Sequence, residues 1–142
     1  MLLLLSLVAT AGAAPADTCR FDLPGTIYRS PDAPMMVIPL LPREAVDSLD
    51  MYSGWLFLGP GTVVPEHEHD GDEMLWVVCG GARFRSNGVE ESLTPGRSLR
   101  IPRGTRHAAI AGPEGLVAVQ VYRPGAAARR FYAWPSGENP PR

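Results

Sequence analysis

The chain has 142 residues, with 13 Lys and Arg against 15 Asp and Glu, a formal net charge of -2 at pH 7. That balance gives no electrostatic case for nucleic acid as a partner, and the length fits one domain with a full core. Gly and Pro number 15 each, which favours many short strands and turns over long helices.

Residues 1–16, MLLLLSLVATAGAAPA, read as a secretory signal peptide. An apolar run is followed by small residues that allow cleavage after Ala13, Ala14 or Ala16. The run is short for a membrane span, so the processed protein is expected to have none and to be secreted or periplasmic. No Lys or Arg precedes the run, which leaves an uncleaved anchor or a start further upstream as alternatives. Export would bring both cysteines, Cys19 and Cys79, to an oxidising compartment where one disulfide is permitted but not implied.

Residues 17–34 form an N-terminal extension rich in turn residues, with one strand over 26–29. Residues 35–40 read as a strand, 42–49 as an irregular or short helical link, and 53–58 as a clearer strand. The next stretch, 61–80, reads GTVVPEHEHDGDEMLWVVCG. His67 and His69 stand two apart, so on a strand they share a face. A two-residue turn at Asp70-Gly71 would put Glu73 on the opposite face. A three-residue turn, Asp70-Gly71-Asp72, pairs His69 with Glu73 on the same one. Imidazoles and a carboxylate converging in this way suit a divalent transition metal. Alternation from Glu73 carries Leu75, Val77 and Cys79 inward, where Cys79 would serve as a small buried hydrophobe, the disulfide being the alternative. Met74 and Trp76 fall on the other face, against another sheet or a subunit.

Strands over 82–86 and 89–93 flank Asn87-Gly88, a strong hairpin signal. A two-residue loop there pairs Arg85 with Glu90 and Ala82 with Leu93. Residues 96–111 read GRSLRIPRGTRHAAIA. A short apolar strand with Leu99 and Ile101 ends in the turn Pro102-Arg103-Gly104, and a new strand starts at His107. Taken alone, a histidine after a turn reads as a solvated surface residue. Arg97, Arg100, Arg103 and Arg106 are either scattered surface charges or the rim of a pocket for an anion, with Arg100 the candidate substrate contact.

A turn at 112–115 introduces a strand over 116–122. Val117, Val119 and Val121 lie on one of its faces, Ala118, Gln120 and Tyr122 on the other. Gln120 and Tyr122 are substrate-binding candidates if theirs is the inner face; the sequence leaves that open. The tail, 123–142, is rich in Pro and Gly and carries Phe131, Tyr132 and Trp134. It is expected to pack on the folded body up to Pro135 and then fray.

Stretches 61–80 and 96–111 together resemble the two motifs of the cupin superfamily. Gly61, His67, His69, Glu73 and Gly80 match the first; Gly96, Pro102, Gly104 and His107 match the second. The second departs at its last position, where Ala111 replaces an Asn that is not usually a metal ligand. The resemblance implies an all-β, single-domain antiparallel jelly-roll barrel over 35–122. It also implies one divalent transition metal (Fe, Mn, Zn, Ni or Cu) on His67, His69, Glu73 and His107, with Glu73 doubling as a catalytic proton acceptor.

Two functional readings follow from that resemblance. One is a metalloenzyme acting on a small organic, anionic or neutral substrate by oxygenase or by lyase or isomerase chemistry. The other is a non-catalytic cupin that binds or senses a small sugar or carboxylate. Resembling proteins often form homodimers by exchanging an N-terminal strand, a role open to residues 17–40.

Overall fold

Burial alternates without a break along one strand, Tyr52–Leu58: Tyr52, Gly54, Leu56 and Leu58 are buried, and the residues between them are half-buried. That period of two marks a sheet with one face on a core, and the rest of the chain is built the same way. The computed structural model describes residues 21 and 23–139; the signal peptide expected over 1–16, and Cys19, lie outside the described residues.

In chain order the strands are β1 (Gly25–Arg29), β2 (Met35–Pro39), β3 (Tyr52–Leu58), β4 (Val63–His67), β5 (Asp72–Ser86), β6 (Val89–Leu93), β7 (Ser98–Ile101), β8 (His107–Arg123) and β9 (Ser136–Asn139). A short helix, α1 (Ala45–Ser48), lies in the link before β3, and a 3₁₀ helix (Gly125–Ala133) follows β8. The order β6-β5-β8-β3-β2-β1-β9 is antiparallel throughout, with β4 added on β8 and β7 on β5. This is a jelly-roll barrel.

The long strands β5 and β8 run through both walls. Asp72 to Gly80 of β5 pairs with Leu116 to Arg123 of β8, and Ala82 to Ser86 pairs with His107 to Ala111. Between the halves the register shifts at Val77/Cys79 and Gly80/Ala82. Gly80 and Gly115 have φ of 69° and 77°, in the left-handed region that favours glycine. A Cβ on Gly80 would stand 2.2 Å from the Gly115 carbonyl oxygen, and one on Gly115 would stand 2.5 Å from that of Leu58. Here the backbones lie too close for side chains, and the double strand turns from one wall to the other.

Several expectations are corrected by this arrangement. The stretch 112–115 is not a turn between two strands but the bend within β8. Val64 and His67 pair with Ala109 and His107 of β8, not with β5. The β4–β5 hairpin is absent because both edges of that half of β5 are taken, by β7 and by β8. The register shift also takes Cys79 out of the inward series, so it is half-buried, and it is disulfide-bonded. The tail does not fray after Pro135: β9 pairs with β1 from Gly25↔Asn139 to Tyr28↔Ser136.

The hairpin register holds, with Ala82↔Leu93 and Arg85↔Glu90, and Asn87 and Gly88 both have positive φ, 50° and 77°. Inside the barrel, Val37, Leu56, Leu58, Leu75, Val77, Phe84, Leu93, Ile101 and Leu116 form one buried cluster.

Gly88 and Gly80 share a positive φ, but a methyl group added at Gly88 would meet nothing within 4 Å, whereas one at Gly80 would meet backbone. Gly88→Ala should therefore cost only the conformational term, about 1–2 kcal/mol. Gly80→Ala should cost at least about twice as much, since the clash adds strain of about 1–3 kcal/mol. Urea unfolding of both variants checks this, and equal losses would mean the bend tolerates a methyl.

Candidate metal centre

Three histidines reach one point from three separate segments. His67 ends β4, His69 lies in the link before β5, and His107 begins β8, directly paired with His67. One ring nitrogen from each lies within 4.8 Å of the others, an arrangement that could hold a metal ion. His69 and His107 are buried and His67 is half-buried.

The backbone fixes each ring. Nδ1 of His67, His69 and His107 lies 2.8 Å from the carbonyl oxygens of Pro65, Gly71 and Thr105 respectively. A carbonyl only accepts, so each Nδ1 carries the proton and donates it. Nε2 is left as the coordinating nitrogen, and orienting hydrogen bonds of this kind are what a metal-binding imidazole requires. The donor set thus fits a divalent transition metal.

Glu73 reaches the same point from the inner face of β5, between Ile101 of β7 and Tyr122 of β8. Its Oε2 lies 2.9 Å from His69 Nε2 and 3.8 Å from His107 Nε2. Burial disfavours a charged His69, but the hydrogen bond to Glu73, its charge and the Gly71 carbonyl outweigh that and raise its pKa. His107 is shifted down, chiefly by burial. With Nδ1 of His69 already donating, a proton on Nε2 bridges to Glu73 where a cation would otherwise sit.

The inner face of β8 carries Ala118, Gln120 and Tyr122, all buried. Gln120 and Tyr122 line a cavity of about 290 Å³ together with His67, Glu73 and His107. Apolar side chains, among them Leu56, Leu75, Phe84 and Ile101, form most of the remaining wall. The Gln120 Nε2 group and the Tyr52 hydroxyl are buried side by side, with no partner beyond each other. Burial, and next the charge of Glu73, push the Tyr122 hydroxyl well above its ordinary pKa, so it stays a proton donor.

Arg100 is not at this cavity. It lies on the outer face, across from Met74, where it binds Asp72 at 2.9 Å. Arg97, Arg103 and Arg106 are likewise paired outside, with Glu91, Asp70 and Glu66. The cationic side chain that does line the cavity is Arg130 of the 3₁₀ helix, a position sequence reasoning passed over. Gly125, Ala128 and Phe131 are the buried residues of that helix. Their spacing of three matches the 3₁₀ repeat and was the available signal. Phe131 packs on Tyr52 and Tyr122 at ring-centroid distances of 5.6 and 6.1 Å, and also lines the cavity.

Residues 54–122 match the family described as Cupin domain. Over 67 residues the chain is 34% identical to dimethylsulfoniopropionate lyase DddW of Ruegeria pomeroyi, a match covering 47% of this chain and 44% of that protein. It is 35% identical over 69 residues to the tetracenomycin polyketide synthase protein TcmJ of Streptomyces glaucescens, covering 48% and 46%. The chain thus spans about half the length of the curated relatives it matches. Among solved structures, a cupin-like protein from Thermotoga maritima superposes with a TM-score of 0.60 at 20% identity, covering 78% of this chain and 82% of that one. That likeness concerns the fold. Among the described residues no helix is long and apolar enough to cross a membrane. The family match runs from β3 to β8 and includes all three histidines, so over residues 54–122 the chain is similar to a cupin domain, a likeness that the jelly-roll fold supports.

Proposed function

We propose that the protein is an exported metalloenzyme that moves protons on a small organic substrate, in lyase or isomerase chemistry. The observation that carries this is the cavity lined by the imidazoles of His67 and His107, a carboxylate, Glu73, which His69 contacts from behind, and a protonated phenol, Tyr122. His67, His69, His107 and Glu73 would hold one Fe, Mn, Zn, Ni or Cu ion. When bound, such an ion supplies Lewis-acid polarisation of a substrate oxygen. Glu73, on releasing the ion, accepts a proton from the substrate, Tyr122 donates one, and Gln120 offers an amide N–H to a substrate acceptor. Oxygenase chemistry is the alternative if the ion is redox-active. A cavity with apolar walls alone would have favoured a non-catalytic ligand binder, but acid and base groups line this one.

Metal content per chain tests the centre, measured on the mature protein beside His69→Ala and His107→Ala. About one transition-metal ion per chain is expected, lost in both variants. A folded wild type without metal, matched by both variants, sinks the proposal.

Export is part of the same reading. It is supported by the apolar run of residues 1–16 and by the disulfide at Cys79, since such bonds persist in oxidising compartments. Intact mass of the protein recovered from the periplasm or medium should match cleavage after Ala13, Ala14 or Ala16; a full-length chain retained in the cytoplasm contradicts it. A homodimer is also proposed, supported by the apolar outer wall, where Met74 and Trp76 are 51% and 61% exposed. Sedimentation should give a dimer that Trp76→Glu converts to monomer; a monomeric wild type rejects this.

A further inference from the structure

We infer that Arg130 anchors the carboxylate of the substrate, so that the cavity selects small monocarboxylates with an apolar body. The inference rests on the metal-cavity reading above and adds the substrate class to it.

Arg130 differs from the arginines of the outer walls. Arg83, Arg85, Arg97, Arg100, Arg103 and Arg106 each have a carboxylate within 4.0 Å. Among the described residues no carboxylate pairs with Arg130, although it lines the cavity. Instead its guanidinium is held by neutral groups. Nη1 donates to the Ala127 carbonyl at 2.7 Å and Nη2 to the Tyr122 hydroxyl at 3.1 Å. The group lies 4.6 Å over the Phe131 ring and 5.5 Å from that of Tyr122. Stacking and neutral hydrogen bonds fix its direction, and the residue is exposed at the cavity mouth without a carboxylate partner.

That charge stands beside the site: the guanidinium donates to the Tyr122 hydroxyl, and the Tyr122 ring lies 5.1 Å from that of His69. Among the described residues Glu73 is the one carboxylate lining the cavity, and a divalent cation would claim it. A cavity holding a divalent cation, one carboxylate and one guanidinium has a positive surplus that an anionic ligand neutralises. The guanidinium fork matches the two oxygens of a carboxylate. The rest of the ligand must be small and apolar, because about 290 Å³ is available between Leu56, Leu75, Phe84, Leu93 and Ile101. The buried Gln120 amide adds a second donor for a ligand oxygen.

The test is calorimetric titration of the mature, metal-loaded protein with butyrate and with its uncharged isostere butyramide. Metal content is measured on the same samples of wild type, Arg130→Gln and Arg130→Lys. Wild type should bind butyrate about tenfold or more tightly than butyramide, a difference of about 1.4 kcal/mol. Arg130→Gln should weaken that preference severalfold while retaining its metal, and Arg130→Lys should restore part of it. The inference is overturned if wild type shows no preference for the carboxylate, or if Arg130→Gln keeps it undiminished. Absence of metal from wild type would instead count against the metal centre, with the carboxylate preference still readable.

Discussion

The close approach of two glycine-bearing strands is the constraint on which the rest of the structure depends. β5 and β8 are paired nearly end to end, and they can cross from one wall to the other only where Gly80 and Gly115 let the backbones touch. Folding the pair there brings the far end of each half back over the other. Glu73 and Tyr122, from one half, then face His107, from the other, across the open mouth of the barrel. A sheet of continuous twist without that bend would hold Tyr122 and His107 far apart along one strand. Bulges that bend and re-aim a strand are common beside functional sites, and here the bend assembles the site.

Around the mouth, the chemistry is set by how few charges are admitted and how each is held. The three imidazoles are oriented by backbone carbonyls rather than by other side chains, so their directions follow the fold itself. Glu73 is 4% exposed, and a carboxylate so deeply buried needs a cationic partner. The proton on His69 provides one, and a metal ion would provide a stronger one. Burial that makes the bare site costly is therefore what prepares it for a cation. Surface arginines contribute differently: each outer pair is mostly solvated and adds little individually. Their carboxylate partners also keep them from drawing a ligand to the outer wall.

The tail completes the cavity that the barrel leaves open. Phe131 closes one side against Tyr52 and Tyr122, and Arg130 lies over the Tyr122 ring. β9 then clips the chain back onto β1, and this fixes the helix between two sheet anchors. The cavity surface is thus assembled from the first residues of β8, its last residues, and a segment with no strand pattern of its own.

Local rules legible in the sequence determined the class of the fold and pointed to the three histidines of the site. Alternation in residues 53–58, the Asn87-Gly88 loop with its register, and the spacing of His67, His69, Glu73 and His107 all depend on neighbours close in the chain. The alternation and the hairpin register survive in the structure, and the three histidines come together as a group that could hold a metal. What only the tertiary structure decided depends on which strand edges were free and where β5 shifts register. Edge occupancy sent β4 to β8 instead of β5, and the register shift removed Cys79 from the inward face. Long-range packing chose the inner face of β8, turning Gln120 and Tyr122 into the cavity and Val119 and Val121 out of it. Charge pairing across strands distant in sequence took Arg100 to Asp72 and left Arg130, 8 residues beyond Tyr122, at the mouth. Periodicity assigns a residue to a face, but only the closed barrel decides what that face looks upon.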